Sequence, residues 1–504
     1  MNSQKPASPL DRFLRLFTDV RGGEGTGALL LGLNIFLVLT AYYFIKPIRE
    51  ALIIGESGAE VKSYASAIQA LMLLGAVPLY SRLSERLPRR KLIDRVTLFF
   101  VACLVVFYLL GSAGVSLGVP FFLWVGVFNL MIVAQFWAFA NDVYTNDEGE
   151  RLFPLVQFGA SLGAVLGSLV VGRLIEPLGI YLPMLGAAGL LLLSLVVTRI
   201  VDRREWRRTE ANRPLEASTL MNPASTGEFR LATGEFENLR EALREAIARA
   251  DAAEQAGEEP PELPQVEYES SAPAPAAAPG GAFSLVFHTR YLLLIALFVL
   301  MINWVNTTGE YLLGSVVESA ARRAIEAGTT QLSMGEYIGS FYSDFFFIVN
   351  VVGLLLQLFV VSRIIKYVGI RVAIMILPVI VIGGYALLVL VPILSAVRWA
   401  KTAENGFDYS LQNTVRNILF LPLTREQKYK AKQVIDAFFW RTGDMLSAGL
   451  VFVGTTWLTM GIAHFAMVNI VLALGMLMLA WRIGRKYRDL VNSGRPPVTI
   501  HRIR

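Results

Sequence analysis

The sequence predicts an all-α membrane protein with twelve transmembrane helices arranged as two pseudo-symmetric six-helix halves. Hydrophobic residues make up 54% of the 504 residues, and only 17% are charged. Apolar stretches long enough to cross the ~30 Å hydrocarbon layer of a bilayer recur along the chain. A soluble chain of this length does not hide so much apolar surface in its cores. Most of the protein is therefore expected to lie in lipid.

Six apolar stretches precede a polar segment and predict an amino-terminal bundle over residues 26–201. The stretches cover residues 26–45, 61–80, 93–112, 119–140, 153–172 and 180–200. Residues 1–25 lack the short apolar run and small-residue cleavage site of a removed signal peptide. They are expected to form a cytoplasmic segment, and the first span then serves as the insertion signal.

Six further spans predict a carboxyl-terminal bundle over residues 284–487, followed by a tail over 488–504. The spans cover residues 289–313, 338–362, 369–393, 395–420, 434–458 and 462–483. The span at 395–420 is too polar for hydropathy to detect, and we infer it because an even number of spans keeps both chain ends on one side. Such a polar helix must face other helices or water rather than lipid.

Residues 202–283 separate the halves and are rich in Arg, Glu, Pro and Ala. They end in SSAPAPAAAPGGA and cannot bury enough apolar surface to fold alone, so a flexible linker is predicted. Apolar residues at helical spacing within 235–256 indicate one amphipathic helix in it. The start of the linker, the loops after the second and eighth spans and the tail are all rich in Arg and Lys. The positive-inside rule predicts that both termini and the linker are cytoplasmic, in a cell inner (plasma) membrane.

Two segments at the ends of the fifth and eighth spans resemble each other. VVGRLIEPLGI at 170–180 and VVSRIIKYVGI at 360–370 align without gaps. A related pattern, YSRLSERLPRR at 80–90, ends the second span. A spacing of three spans is typical of three-helix units repeated within and between halves.

Composition narrows the function classes. The single cysteine, Cys103, lies in an apolar run, and the three histidines lack ligand spacing, so neither a disulfide nor a metal site is expected. The sequence has no nucleophile or phosphate-loop constellation, so an enzyme and a bound cofactor are not expected. We attribute the net charge of +6 to loop arginines and lysines rather than to nucleic-acid binding. A monomer that contacts the bilayer and a small solute is predicted.

Charged residues inside membrane spans cost several kcal/mol each and are therefore candidate functional residues. The end of the first span carries Lys46, Arg49 and Glu50. Pro47 lies between them and is expected to interrupt the helix. The alternative is that these charges reach the water outside the membrane from the helix end.

Two other spans end in polar residues. Glu310, at the end of the seventh span, lies in the place that Glu50 takes in the first half, and Asn141 and Asp142 lie at the end of the fourth span. Glu310 is a candidate for the same site as Glu50. Part of the polar set after the fourth span belongs to a cytoplasmic loop.

The tenth span has the highest density of polar residues. Lys401, Glu404 and Asp408 follow at i, i+3 and i+7 and so share one helix face. This face is the best candidate in the sequence for the wall of a cavity, and its alternative is a structural network of ion pairs. The residues that extend it are Asn405, Asn413 and Arg416.

The loop after the second span resembles the Gly-x-x-x-Asp-Arg-x-Gly-Arg-Arg signature of the major facilitator superfamily. Glu85, Arg86, Arg89 and Arg90 stand in the charged positions. A carboxylate at a helix end that pairs with nearby arginines can latch two bundles in one state of a transport cycle. The alternative is a basic loop that only sets topology.

Two longer motifs are FANDVYTNDEGERLFPLVQFGASLGAVLGS at 139–168 and KTAENGFDYSLQNTVRNILFLPLTREQKYKAKQVIDAFF at 401–439. They closely resemble the ATP:ADP antiporter family, the nucleotide transporters of plastids and obligate intracellular bacteria. The resemblance extends over nearly all twelve spans and omits the linker. It implies a major-facilitator-like fold and exchange of nucleotides across the membrane.

The resemblance also implies which residues bind substrate. The family's basic cluster in the first span falls on Lys46 and Arg49, with Glu50 at an acidic position. The polar segment of the tenth span falls on Lys401, Asp408 and Tyr409, and the lysine-rich stretch after it falls on Lys428, Lys430 and Lys432. This chain departs from the family in having Lys46-Pro47-Ile48-Arg49 in place of Arg-Asp-Thr-Lys. It also has Asn306 at an acidic position of the seventh span, with Glu310 one turn on.

The first functional hypothesis is an exchanger of ATP/ADP-like nucleotides. A nucleotide brings three or four negative charges into a low-dielectric cavity, so it needs several cations that are not all neutralised internally. We expect Lys46 and Lys401 to face each other across a central cavity. The candidate cations are Lys46, Arg49, Lys401, Arg416 and Arg441.

Two alternatives stay open. One is a proton-coupled carrier of another organic anion, in which Asp344 or Asp408 titrates. The other is a non-transporting protein, either a membrane scaffold or a lipid-handling protein. Dependence on a counter-substrate distinguishes exchange from proton coupling, and absence of flux would favour the non-transporting class.

Overall fold

The structure of the chain, a computed structural model, describes residues 14, 18, 20–86, 89–144, 146–211 and 281–493. The regular secondary structure in these ranges is helical, which confirms the all-α class. Most of the predicted linker, including its helix at 235–256, lies outside the described residues. So do most of residues 1–25 and the end of the tail.

The first two spans form the helix Gly25–Arg86, which is broken at Gly58. Gly58 has φ 88° and ψ 165°, a conformation that glycine adopts readily and other residues do not. The sequence predicts a loop between residues 45 and 61, whereas the structure has helix on both sides of the single break at Gly58. The expected interruption at Pro47 is wrong, because the backbone stays helical there. A proline removes one helical hydrogen bond, and a membrane helix tolerates this when it packs among other helices.

The other spans follow the predicted order. Spans three to six are Arg89–Ser112, Gly118–Val143, Asn146–Leu178 and Leu182–Ala211. Span six thus continues past its predicted end at residue 200. A short helix, Ala282–His288, precedes the second half. Spans seven, eight, nine and twelve are Arg290–Glu326, Met334–Tyr367, Ile370–Leu390 and Ile462–Ser493.

Three spans of the second half contain a short π-helical segment. The segments are Leu356–Val360 in span eight, Asp408–Gln412 in span ten and Ile435–Phe439 in span eleven. The α-helical parts of spans ten and eleven are Leu394–Phe407, Asn413–Ile418, Arg425–Val434 and Trp440–Thr456. π-Helical segments are rare and occur often at functional sites.

Length and hydropathy support most of the spans. In the described ranges, nine helical stretches are long and apolar enough to cross a membrane, and the first of them, Gly25–Ala76, covers spans one and two. Span ten is not among the nine, as its polar sequence led us to expect. Span eleven is also absent from the nine stretches, although the sequence predicts it. Charged residues in its first turns, Arg425–Val434, lower its mean hydropathy.

Glycines on span five hold it close to span one. A Cβ atom at Gly159 would lie 2.4 Å from the carbonyl oxygen of Gly32, and one at Gly163 would lie 2.4 Å from that of Phe36. Gly167 continues the series four residues later. Small residues at this spacing let membrane helices approach closely. The contact fixes the position of span one, which carries the charged residues of the predicted site.

The two halves pack together at the end of the bundle that contains Gly58. The backbone N–H of Ala59 donates to Glu318 Oε2 at 3.0 Å. A Cβ atom at Gly55 would lie 3.4 Å from the Cα of Gly335. These contacts join spans one and two to spans seven and eight, and they close the space between the halves at this end.

Candidate functional site

Spans one and two place three charged side chains together in the interior. Arg49 Nε donates to Glu50 Oε1 at 2.9 Å, and Lys62 Nζ lies 2.7 Å from Glu50 Oε2. The Glu50 side chain is only 1% exposed. A buried carboxylate is stable only when it is paired, and two cations share this one. The helix that continues past Pro47 and turns at Gly58 brings Lys62 back to Glu50.

Spans seven, nine and ten supply a second charged group. Lys401 Nζ lies 2.9 Å from Glu404 Oε1 and donates to Asn306 Oδ1 at 3.0 Å. The hydroxyl of Tyr385 donates to Glu404 Oε2 at 3.0 Å. Lys401 and Glu404 therefore lie on one helix face as an i, i+3 ion pair. Asn306 takes part as a neutral acceptor.

Glu310 lies between these two groups. Its carboxylate is 3.6 Å from Lys62 Nζ and 3.7 Å from Lys401 Nζ, and it accepts a hydrogen bond of 3.3 Å from Asn405 Nδ2. Glu310 thus joins a lysine of the first half to a lysine of the second. We call the six linked charges the central network; they are Arg49, Glu50, Lys62, Glu310, Lys401 and Glu404. Three cations and three carboxylates balance within it.

Lys46 lies one helical turn before Glu50 and has different neighbours. It is only 9% exposed, and no described residue places a carboxylate or a hydrogen-bond acceptor within bonding distance of its Nζ. Nζ lies instead 4.0 Å from the ring centroid of Phe346, 5.2 Å from that of Tyr43 and 5.9 Å from that of Tyr409. Aromatic faces attract a cation without neutralising its charge. Lys46 therefore adds one positive charge beside a balanced network.

Tyr409 contributes an accessible aromatic face next to Lys46. It belongs to the π-helical segment of span ten, and 45% of its surface is exposed. Its ring centroid lies 5.9 Å from Nζ of a buried lysine of span one, so Tyr409 lies where span ten of the second half meets span one of the first. The site thus combines a cation, a balanced set of charges and an aromatic ring.

Comparison with known proteins identifies the family of this chain. Residues 14–404 match the Major Facilitator Superfamily. The chain belongs to the Major Facilitator Superfamily. It is therefore a multi-pass membrane transporter of this superfamily and not an enzyme. The comparison establishes the superfamily and does not reach the narrower resemblance to ATP:ADP antiporters.

Solved structures of other transporters share the fold at low sequence identity. A POT family transporter in complex with a thioalcohol-conjugated peptide has a TM-score of 0.56 and 14% identity, covering 93% of this chain and 98% of that chain. The peptide transporter POT in complex with sulfate has a TM-score of 0.57 and 14% identity over 95% and 99%. The nucleoside transporter NupG has a TM-score of 0.54 and 12% identity over 92% and 99%. No curated protein sequence gives a significant match.

Three other predicted site residues of this major facilitator, Arg416, Arg441 and Asp408, are not part of the central network. Arg416 lies 4.9 Å above the ring of Trp440, and Arg441 lies 3.4 Å from a carboxylate oxygen of Asp444. Asp408 lines a small cavity beside the central network. The structure therefore does not bring Arg416 and Arg441 into the central network.

The predicted residues at the ends of spans two and four are placed as follows. Asn141 and Asp142 are exposed at the end of span four. Arg90 pairs with Asp202, which lies in the same half, so this contact does not latch the two bundles. The side chains of the other predicted gating residues, Glu85, Arg86 and Arg89, lie outside the described residues.

Three residues of the site were missed by sequence analysis. Lys62 follows the break at Gly58, where a charge is easily assigned to a loop. Its position inside an apolar stretch was the signal that could have identified it. Tyr385 and Phe346 lie in apolar spans, and no feature of the sequence separates them from aromatic residues that only pack.

Proposed function

We propose that this transporter carries a small organic anion, and that the anion is an ATP/ADP-like nucleotide exchanged for another nucleotide. The observation that supports this most strongly is the surroundings of Lys46, a buried cation held against aromatic rings with no carboxylate of a described residue in contact with its Nζ. An uncompensated cation in the interior of a membrane protein is costly, and an anionic substrate reduces that cost. The charges of the neighbouring network balance among themselves, so the surplus positive charge of the site is that of Lys46.

Glu310 provides a way to couple binding to movement of the halves. Its contacts of 3.6 Å with Lys62 and 3.7 Å with Lys401 are longer than the 2.7 Å and 2.9 Å contacts that these lysines make within their own halves. An anion beside Lys46 competes with Glu310 for the two lysines and weakens this link between the halves. A ligand shifts a conformational equilibrium only through such differential contacts.

A nucleotide fits the site in both of its chemical parts. Its phosphates require several cations. Lys46 supplies one, and Lys62 and Lys401, at 3.6 Å and 3.7 Å from Glu310, supply two more when the anion takes the place of that carboxylate. The exposed ring of Tyr409 offers a face on which a nucleobase can stack. The similar solved transporters are named for peptides and for a nucleoside, so the fold does not choose the substrate. The charges and rings of the site support the choice made here.

We also propose that the site opens towards the cytoplasm in this conformation, in a cell inner membrane. The halves are packed together at the Gly58 end, and the arginine-rich segments predict that this end is the outer one. In a Cys103→Ala background, an impermeant thiol reagent is expected to label Glu326→Cys in intact cells. The linker variant Ser225→Cys should react only after the cells are opened. Labelling of Ser225→Cys in intact cells would contradict the orientation.

Proton coupling is the second candidate, and Asp408 favours it. This half-buried carboxylate lines a small cavity with Glu404 and has no ion pair with a described residue. Asp344, the other candidate for titration, is exposed on span eight. A carboxylate without a cation partner is a suitable group to take up a proton during transport. An imposed proton gradient distinguishes this mechanism from exchange.

Purified protein in liposomes tests the proposal directly. Liposomes loaded with ADP are expected to take up labelled ATP at least about tenfold faster than empty ones, and Lys46→Ala should slow this uptake by at least about tenfold. Lys366→Ala is the matched control, because Lys366 also lies over a tyrosine ring, at 5.4 Å, but is exposed. Uptake driven by a proton gradient without internal nucleotide would support the second candidate. Failure of all nucleotides to enter would overturn the first.

A further inference from the structure

A groove runs between the start of span seven and the end of span twelve, on the surface of the second half. Its volume is about 450 Å³. Spans seven and twelve are far apart in sequence, so the fold creates this groove and no single motif predicts it. The residues that line it are Arg290, Leu293, Leu294, Leu297, Trp481, Arg482, Arg485, Lys486 and Asp489.

The lining residues are ordered along the two helices. Arg290 begins span seven, and the leucines of the groove follow it along the next two turns towards the middle of the span. On span twelve, Trp481 precedes the basic residues, which lie towards the chain end. The groove is therefore cationic at the end of the bundle and apolar deeper in. An amphiphile with an anionic head matches this order of polarity.

The cationic end of the groove is not neutralised. Four cations and one carboxylate line it, and within the described ranges none of the four cations forms an ion pair. The corresponding end of span six is partly neutralised. There, Arg199 lies 3.1 Å from Asp94, and Arg90 pairs with Asp202. A basic helix end that only sets topology needs no groove, whereas this one has both a groove and a surplus of positive charge.

An aromatic residue orients part of the cationic end. The guanidinium of Arg485 lies 4.8 Å from the ring centroid of Trp481, and Trp481 is 40% exposed. Tryptophan is typical of the interface between lipid and water. Stacking of a guanidinium on a ring leaves its N–H groups available to phosphate oxygens. Leu297, also exposed, continues the apolar part of the groove.

We propose that this groove binds one anionic phospholipid. The phosphate of the headgroup contacts Arg290, Arg482 and Arg485, and an acyl chain lies along the leucines of span seven. Lys486 adds a fourth positive charge at the same end. The bound lipid bridges spans seven and twelve and stabilises the second half. The proposal is independent of the substrate of the transporter.

Native mass spectrometry of the purified protein with added phosphatidylglycerol tests this proposal. The parent is expected to retain phosphatidylglycerol at least about tenfold more than phosphatidylcholine, a preference of about 1.4 kcal/mol. The double variant Arg482→Gln/Arg485→Gln should lose most of this preference. The matched control Arg203→Gln/Arg204→Gln removes two exposed arginines at the end of span six and should keep it.

A second variant tests the apolar part of the groove without changing charge. Leu297→Trp fills the groove from an exposed position, so the core stays intact, and it should also reduce phosphatidylglycerol retention. Inorganic phosphate should not displace the lipid, because it cannot occupy the apolar part. Equal retention of both lipids, equal loss in the control variant, unchanged retention by both groove variants, or displacement by phosphate would each overturn the proposal.

Discussion

Lys46 and Lys401 are chemically identical and both buried, yet their surroundings differ. Lys401 Nζ meets a carboxylate oxygen of Glu404 at 2.9 Å and Asn306 Oδ1 at 3.0 Å. Lys46 Nζ meets the ring of Phe346 at 4.0 Å and no carboxylate of a described residue. The charge of Lys401 is thus already compensated, whereas that of Lys46 is available. Both lysines are predicted from the sequence to bind the substrate, and their different neighbours give them different contributions.

The largest effect is expected from Lys401→Ala. The substitution leaves Glu404 buried without its cation, and breaking a buried pair in this way typically costs about 3–5 kcal/mol of unfolding free energy. Denaturation of the purified protein in mixed micelles measures this loss. The double variant Lys401→Ala/Glu404→Gln should recover part of it, because the isolated charge is gone. A single variant as stable as the parent would show that the pair does not contribute to folding.

Lys46→Ala should weaken substrate binding without lowering the stability of the protein. Its unfolding free energy should equal or exceed that of the parent, because the substitution removes an uncompensated charge. Nucleotide affinity should fall by about 100-fold, or about 2.7 kcal/mol. Calorimetry on the purified protein measures this affinity. Lys46→Arg should restore binding only in part, since a planar guanidinium does not replace a compact ammonium. Parental affinity in Lys46→Ala would mean that the substrate binds elsewhere.

Glu310→Gln removes the carboxylate charge that joins Lys62 of the first half to Lys401 of the second. It should favour separation of the halves at the Gly58 end by about 1–2 kcal/mol, which is within the usual range of coupling free energies. Ser343→Cys reports this, because Ser343 is buried where span eight meets Gly172 of span five. In a Cys103→Ala background, Glu310→Gln should raise its labelling rate by an impermeant thiol reagent. Glu326→Gln, an exposed carboxylate at the end of span seven, is the control and should leave that rate unchanged.

The smallest effect is expected at the aromatic side of the site. Tyr409→Ala should weaken nucleotide binding by about 1 kcal/mol, because it removes one stacking face. Binding of inorganic pyrophosphate should stay unchanged, since that ligand has no ring. The control is Tyr367→Ala, at an exposed tyrosine of span eight that carries Lys366 over its ring. Equal weakening of both ligands would assign Tyr409 to the geometry around Lys46 instead of to ring recognition.

Much of the central network could be predicted from the sequence, because a charged residue inside a membrane span is costly. Glu50, Glu310 and Lys401 were identified because an ionised group inside a span requires compensation. The same rule was too permissive for Arg416 and Arg441, whose neighbours are Trp440 and Asp444. Charge alone shows that a residue needs a partner and does not show which one.

The sequence by itself determined that this chain is a bundle of membrane helices in two halves, because apolar length and composition decide which segments leave water. It also marked the charged residues of spans one, seven and ten. Only the tertiary structure decided how those charges are shared. The turn at Gly58 brings Lys62 to Glu50, and packing between the halves sets Glu310 between two lysines. Pairing of buried charges depends on distances between distant segments, and no local pattern of residues contains those distances.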